Sequence, residues 1–181
     1  MKNKIKTVWS KRLKGNTSKS FQRIGSSINT DKRLYKQDIL ASTIHTQMLV
    51  KQRIIPSDIG KKIIKGLKKI KSLIDGGKFI FEEKYEDIHL NIEKKLFQII
   101  GPAAGFMHTA RSRNDQVVTD FKLWVKVSTQ NIIKDISNTM KIIIKKAEKH
   151  SDTVMPGFTH LKNAQPISFA HYLLAYYEML K

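Results

Sequence analysis

The segment from Arg113 to His150 contains neither glycine nor proline, and this is the feature that most constrains the fold. Apolar or small residues recur in it at steps of three or four, as along one face of an α-helix. The positions of this stripe are Val117, Phe121, Trp124, Ser128, Ile132, Ile136, Met140, Ile143 and Ala147. At about 1.5 Å per residue the helix would be about 50 Å long, a length typical of helical bundles. The stripe therefore predicts core packing, and Trp124 is interpreted as part of that core.

Shorter helices are predicted on both sides of this segment. Thr30 or Asp31 can cap a first one, Pro56 suits the first turn of a second, and the acids of Glu86-Asp87 suit the start of a third. The predicted helices are residues 30–52, 56–74, 86–101 and 167–181. The last is so rich in leucine and tyrosine that we expect it to be buried on several sides. Together these segments predict an all-α fold.

The helical pattern divides into two parts. Residues 1–105 predict an N-terminal helical domain that begins with an irregular stretch and ends in a turn. Residues 106–181 predict the first long helices of a central helical bundle. The apolar last helix has no C-cap glycine and no partner of its own, so we expect the bundle to be truncated and the polypeptide to be incomplete.

Composition narrows the possible functions of the 181 residues, which carry a net charge of +19 and no cysteine. A chain without cysteine has no disulfide or thiolate site, and we expect a cytoplasmic protein. The six histidines lack the spacing of metal ligands, so we predict no metal. No apolar run approaches the ~20 residues that span a bilayer, and we predict no membrane partner. The lysines are dispersed among isoleucines without a nucleic-acid motif, so no specific nucleic-acid partner is predicted.

The run from His108 to Gln116 is the densest polar cluster in the sequence, and it opens the long helix. The start of a helix presents unpaired backbone N–H groups and the positive end of a dipole, which favour anions. Arg111 and Arg113 add guanidinium groups, whose geometry matches a carboxylate. The run is thus interpreted either as a site for a carboxylate-rich ligand or as a capped helix start, with Ser112 or Asn114 as the N-cap.

Three further clusters carry polar side chains, and each also has an ordinary structural interpretation. Thr159-His160 lies between Pro156-Gly157 and Pro166, which fix the backbone around them. Glu86-Asp87-Ile88-His89 is followed by Glu93, which could form a simple helical pair with His89. Ser26-Ser27-Ile28-Asn29 precedes the first predicted helix and could cap it.

Taken together, the four clusters resemble argininosuccinate lyases, members of the aspartase/fumarase superfamily. The resemblance extends from about Trp9 onward, and its Arg-Ser-Arg-Asn-Asp-Gln block distinguishes this family from fumarases, aspartases and adenylosuccinate lyases. The matching segments are Ser27 with Asp31-x-Arg33-Leu34-Tyr35, Glu86-Asp87-Ile88-His89, His108-Thr109-x-Arg111-Ser112-Arg113-Asn114-Asp115-Gln116-Val117, and Pro156-Gly157-x-Thr159-His160-Leu161-x-x-Ala164-Gln165-Pro166.

The resemblance implies an aspartase/fumarase-like homotetramer built on a bundle of long helices, with active sites shared between subunits. It implies a carbon–nitrogen lyase of arginine biosynthesis that splits argininosuccinate into arginine and fumarate by β-elimination, without a cofactor. His160 is implied as an acid/base residue. The implied substrate-binding residues are Ser27, Ser112, Arg113, Asn114 and Thr159, with Asp87, His89 and Gln116 as secondary candidates.

The sequence also departs from this family. The usual Trp-Gly-Gly-Arg-Phe opening is Trp9-Ser10-Lys11-Arg12-Leu13, the Asn-Ala before Ser27 is Gly25-Ser26, and Lys162 replaces a glutamine. A Gly-Ser-Ser-x-Met-Pro-x-Lys-x-Asn-Pro loop, which carries the family's serine base, is absent. We therefore expect the chain to be the N-terminal portion of such an enzyme and to be inactive alone.

Two other interpretations remain open at this point. A truncated chain of this fold could be a non-enzymatic structural protein, as in lens crystallins, or a relic. A basic helical chain could also bind nucleic acid, and salt-dependent retention with a sequence preference would then be expected.

Overall fold

The structure is a computed structural model that describes residues 18–181. The departure predicted at Trp9–Leu13 lies outside the described residues. Helices account for most of the described chain, as the all-α interpretation predicted. The α-helices are α1 (Lys19–Gly25), α2 (Ile28–Asp31), α3 (Tyr35–Lys51), α4 (Ser57–Asp75), α5 (Ile88–Ile100), α6 (Arg113–Lys149) and α7 (Phe169–Leu180). No helix among the described residues combines the length and apolar character needed to cross a bilayer.

The chain divides into two compact units, the first ending at Trp124 and the second running from Val125 to Lys181. Helix α6 begins in the first and ends in the second. The division at residue 105 drawn from the sequence concerns folding domains and stays a prediction.

The core of the first unit is made by α3, α4 and α5. Two glycines of α4 allow close packing, since a Cβ at Gly60 would lie 2.2 Å from Val50 Cγ2 and one at Gly66 would lie 2.5 Å from Leu96 Cδ1. The buried apolar cluster is Ile28, Leu34, Ile39, Leu49, Ile55, Ile63, Leu67, Ile70, Ile88, Ile92, Leu96, Ala104 and Met107. This core holds the starts of α2, α5 and α6 in fixed positions.

The predicted helices of the first unit are confirmed, with small differences at their ends. The first is interrupted, because α2 is followed by a 3₁₀ turn at Lys32–Leu34 before α3 begins. Pro56 precedes α4 as its N-cap, and Asp87 caps α5 with a side-chain bond from Leu90 N–H. The turn predicted at Gly101–Gly105 is part of a 3₁₀ helix, Gly101–His108.

The long helix α6 is confirmed, and Trp124 packs against the core of the first unit as predicted, but most of the stripe is not buried. At its start the buried residues are Gln116 and Asp120, while Val117 is 36% and Phe121 54% exposed. These polar residues face inward because Gln116 donates a hydrogen bond to Asp38 and Asp120 lies 3.4 Å from the His89 imidazole. In the second unit Ile132 and Ile136 are exposed as well, and Ala147 is the buried member of the stripe there.

The second unit contains a β-hairpin that the sequence interpretation missed. Strands β1 (Val154–Thr159) and β2 (Lys162–Ser168) are antiparallel, and Thr159 pairs with Lys162 across a two-residue turn. The following helix α7 is confirmed, but its predicted burial is wrong for this chain, in which α7 has no buried residue.

The hairpin turn places both of its residues in the left-handed region, with φ of 49° at His160 and 64° at Leu161. This conformation costs about 1–2 kcal/mol for a residue with a Cβ, and glycine is favoured at the second position of such turns. Leu161 is 99% exposed, so its side chain adds little packing. We expect Leu161→Gly to raise the free energy of unfolding by about 0.5–1 kcal/mol in urea denaturation. Leu174→Gly, inside α7, serves as the control and should be destabilising.

Candidate active site

Helix α6 begins with a capping box. The Ser112 hydroxyl accepts a hydrogen bond from Asn114 N–H at 3.2 Å, and Asp115 Oδ1 accepts one from Ser112 N–H at 2.7 Å. Such reciprocal bonds satisfy N–H groups that a helix start leaves open. The capping interpretation of Ser112 is therefore correct, and the side chains of Ser112 and Asn114 remain exposed to solvent.

Arg113, the first residue of α6, is held by three polar partners. Its Nη1 donates to Gln116 Oε1 at 2.7 Å, its Nη2 lies 2.9 Å from Glu93 Oε1, and its Nε lies 3.7 Å from Asp87 Oδ2. Each Nη atom has a second N–H that these contacts leave open to a ligand. Glu93, expected to pair with His89, instead pairs with Arg113 and lies 3.6 Å from His108 Nδ1.

Arg111 has a different role from Arg113. Its Nη1 donates to Ser42 Oγ on α3 at 2.9 Å. The two guanidinium groups were interpreted together as one anion site, but Arg111 tethers the segment before α6 to α3. Arg113 remains the candidate guanidinium for ligand binding.

The segments of Ser27 and Asp87 meet in the same unit. Ser27 N–H donates to the Glu86 carbonyl at 2.8 Å, and the Ser27 hydroxyl donates to Asp31 Oδ2 at 2.6 Å. Because Asp87 directly follows Glu86 and lies beside Arg113, the fold connects the Ser27 segment to the start of α6. The side chains of Ser27, Ser112 and Asn114 are exposed, and that of Arg113 is half-buried.

Beneath Arg113 lies a buried polar cluster, formed by Asp38 of α3, His89 of α5, and Gln116 and Asp120 of α6. His89 Nδ1 lies 3.0 Å from Asp38 Oδ1 and 3.4 Å from Asp120 Oδ2, and Gln116 Nε2 donates to Asp38 Oδ1 at 2.6 Å. His89 and Gln116 are each 1% exposed. They cannot touch a ligand at the surface, so these two secondary candidates fit a positioning role.

The charges of the cluster follow from its burial. Burial and the charge of Asp38 raise the pKa of Asp120 to about 8. Burial alone would lower the pKa of His89, but the hydrogen bond and charge of Asp38 outweigh it and raise this pKa. Burial opposes ionisation of Asp38, yet His89 and Gln116 lower its pKa. The surroundings thus favour a negative charge on Asp38 and a proton on both His89 and Asp120.

The cluster also has a geometry that a cation could use, since ligand atoms of Asp38, His89 and Asp120 lie within 4.8 Å of one another. However, Asp38 Oδ1 already faces two nitrogen donors, the imidazole Nδ1 and the Gln116 amide. Asp38 Oδ1 is therefore used as a hydrogen-bond acceptor and not as a free metal ligand. The absence of a metal stays a prediction.

Thr159 and His160 belong to the second unit. They occupy the end of β1 and the first position of the hairpin turn, and both side chains are exposed. Pro156 pairs with Pro166 across the hairpin, so the prolines that were expected to fix this segment lie within paired strands. The turn presents the His160 imidazole to solvent on a short, hydrogen-bonded support.

Asp38 and Asp120 were not among the candidates predicted from the sequence. Both are fully buried. A signal was present on α6, where Gln116 and Asp120 are four residues apart and so share one helix face. The apolar stripe lies one position later along the chain, and its periodicity is the stronger signal.

We expect Ser112→Ala to lower the free energy of unfolding by about 1 kcal/mol, because the cap accepts a backbone N–H bond. Urea denaturation measures the change. Ser137→Ala, on the exposed middle of the same helix, is the matched control, and equal effects of the two variants would contradict the role of the cap.

The raised pKa of Asp120 makes stability depend on pH. Between about pH 4 and 8 the folded chain binds a proton at Asp120 that the unfolded chain has lost, so the free energy of unfolding falls as pH rises. His89, whose pKa is also raised, adds to this fall above about pH 6.5. We expect Asp120→Asn to reduce the slope by up to about 1.4 kcal/mol per pH unit. The matched Asp135→Asn variant, on an exposed position of α6, should retain the original slope.

Comparison with known proteins defines the class. Residues 11–181 match the family model described as Lyase, and the chain belongs to this lyase family.

The relatives it matches include argininosuccinate lyases. It is 56% identical over 172 residues to that of Pelagibacter ubique and 46% identical over 172 residues to that of Bartonella bacilliformis, covering 95% of this chain in each case. The resemblance inferred from the motifs is confirmed, as is homology to a carbon–nitrogen lyase. The chain spans 37% of the length of each relative, and it corresponds to the N-terminal portion.

Solved structures agree with this family. A variant of EDDS lyase with bound fumarate is 31% identical with a TM-score of 0.67, over 81% of this chain and 28% of that chain. A fumarate lyase from Mesorhizobium sp. BNC1 is 20% identical with a TM-score of 0.61, over 93% of this chain and 39% of that chain. At 20% identity, the similarity to the Mesorhizobium structure shows the fold alone.

Proposed function

We propose that this chain forms the N-terminal portion of an argininosuccinate lyase, which splits argininosuccinate into arginine and fumarate in arginine biosynthesis. The observation that carries the proposal is the start of α6, where Arg113, the residue after the exposed N-cap Ser112, has its guanidinium held by Gln116 and Glu93. Its 56% identity to the Pelagibacter ubique argininosuccinate lyase supports the substrate.

In the proposed chemistry, the start of α6 is an anion site. β-Elimination removes a weakly acidic proton beside a carboxylate and builds charge on the carboxylate oxygens. Donors already in place around those oxygens stabilise that charge most effectively. We assign this role to Ser112, Arg113 and Asn114, with the hydroxyl of Thr159 as a further donor. Ser27, whose hydroxyl proton is donated to Asp31 in this structure, is assigned to substrate binding as a hydrogen-bond acceptor. His160 is assigned as the acid/base residue, because imidazole exchanges protons near neutral pH.

We also propose that the enzyme is a cytoplasmic homotetramer with shared active sites. Exposed apolar side chains of the second unit support an assembly, since large apolar patches on a surface mark contacts. Examples are Ile132, Ile133, Tyr176 and Met179. Light scattering after gel filtration measures the molar mass of the enzyme in solution. A monomer at micromolar concentration would contradict the homotetramer.

The test of function is a chimera in which this chain replaces the matching 172-residue segment of the Pelagibacter ubique enzyme. We expect it to release fumarate and arginine from argininosuccinate in equal amounts, followed by absorbance and by amino-acid analysis. Adenylosuccinate is the control substrate. A folded chimera that releases fumarate from neither compound, while the parent enzyme is active, would overturn the proposal. The 181-residue chain alone is expected to release none.

A further inference from the structure

Gln116 links two groups with opposite hydrogen-bonding needs. Its Nε2 donates to Asp38 Oδ1 at 2.6 Å, and its Oε1 accepts from Arg113 Nη1 at 2.7 Å. An ionised carboxylate only accepts and a guanidinium only donates, so a single orientation of the amide satisfies both. The position of Arg113 is therefore tied to the charge on Asp38.

The charge on Asp38 depends in turn on its buried neighbours. Asp120 is fully buried, and neither of its carboxyl oxygens has a hydrogen-bond partner among the described residues. Two carboxyl groups this close resist ionising together, so a proton on Asp120 keeps the charge on Asp38. His89 balances that charge from α5.

Three other charged groups act on the cluster from the surrounding elements. Asp31 at the end of α2 and Asp87 at the start of α5 interact with His89, and Arg111 before α6 interacts with Asp120. The two acids favour a protonated imidazole, and Arg111 favours an ionised Asp120. Loss of one proton therefore changes the net charge of the cluster and the interactions among its members.

We propose that Asp38, His89 and Asp120 are positioning residues that act through Gln116 to hold Arg113 against a substrate carboxylate, and that loss of the Asp120 proton loosens this hold. This rests on the proposed function. With both carboxylates ionised, their repulsion displaces Asp38 and the amide bonded to it. The guanidinium then keeps only its contacts with Glu93 and Asp87.

The first experiment replaces the amide in the chimera. We expect Gln116→Met to raise KM for argininosuccinate about tenfold with a smaller change in kcat, because substrate binding loses its positioned guanidinium. Gln130→Met is the same substitution at an exposed site of α6 and should change neither constant. A KM for Gln116→Met equal to that for Gln130→Met would overturn the proposal.

The second experiment follows KM against pH. We expect KM to rise above about pH 8 in the unmutated chimera and in Asp135→Asn, and to stay low in Asp120→Asn, whose amide remains neutral. If Asp120 had a purely structural role, Asp120→Asn would lower the amount of folded enzyme without changing the alkaline rise in KM. An unchanged alkaline rise in Asp120→Asn would overturn the proton-dependent step.

A third measurement needs no activity. In the ¹⁵N-labelled 181-residue chain, the Arg113 Nε–H signal is assigned by its loss in Arg113→Lys. We expect a sharp signal that broadens in Gln116→Met and is retained in Gln130→Met. If the chimera is inactive but this response occurs, the proposed function fails and the link through Gln116 stands. If the chimera is active and neither KM nor the signal responds to Gln116→Met, the link is wrong.

Discussion

We expect the replacement of Arg113 by lysine in the chimera to lower kcat/KM for argininosuccinate about 100-fold or more. Lysine keeps the charge but cannot form the planar, paired contact that a guanidinium makes with a carboxylate. It also presents a single nitrogen where the guanidinium uses Nη1 for Gln116 and Nη2 for Glu93, so the paired support that fixes Arg113 is lost. Steady-state fumarate release measures the effect, which corresponds to about 2.7 kcal/mol of transition-state stabilisation.

The control for this variant is Arg53→Lys, which makes the same exchange at an exposed residue just after α3. We expect it to behave like the unmutated chimera. A loss smaller than about threefold in Arg113→Lys would correspond to well under 1 kcal/mol and would remove Arg113 from the site.

We expect the replacement of His160 by asparagine to lower kcat of the chimera by about 10²–10⁴-fold, the usual contribution of a general acid or base. Asparagine is the informative choice because it tolerates the left-handed backbone that the hairpin turn imposes, with φ of 49° at this position. The hairpin is thus expected to persist while the proton-transfer group is lost. Single-turnover and steady-state kinetics separate a change in chemistry from a change in binding.

The matched control is His171→Asn, at an exposed position of α7. It should leave kcat and its pH profile in place. Equal values of kcat for His160→Asn and His171→Asn would show that His160 has no acid/base role, even if the chimera is a functional lyase.

The helices were the most predictable part of the fold. Pro56, Asp87 and the glycine-free run after Ser112 mark helix starts through local chemistry, and the structure places α4, α5 and α6 within one or two residues of those predictions. The hairpin was missed because its turn uses His160-Leu161, whereas glycine or asparagine is the usual signal for left-handed residues.

Burial was less predictable than helicity. The pattern of α6 predicted that Val117 and Phe121 face a core, yet Gln116 and Asp120 do so. Periodicity reports which residues share a face, and it does not report what the opposite surface offers. Here α3 and α5 offer Asp38 and His89, and polar pairing decides which face of α6 turns inward.

By itself the sequence determined the helical class, the lyase family and the motifs from which candidate residues were chosen. These depend on local periodicity and on short sequence motifs, which can be recognised without knowledge of packing. Only the tertiary structure decided that Arg113 is supported by Gln116 and Glu93, that Arg111 is turned toward Ser42, and that a proton-holding cluster lies beneath them. Those contacts join residues far apart in the chain, and charges interact through space and burial, which a linear sequence does not show.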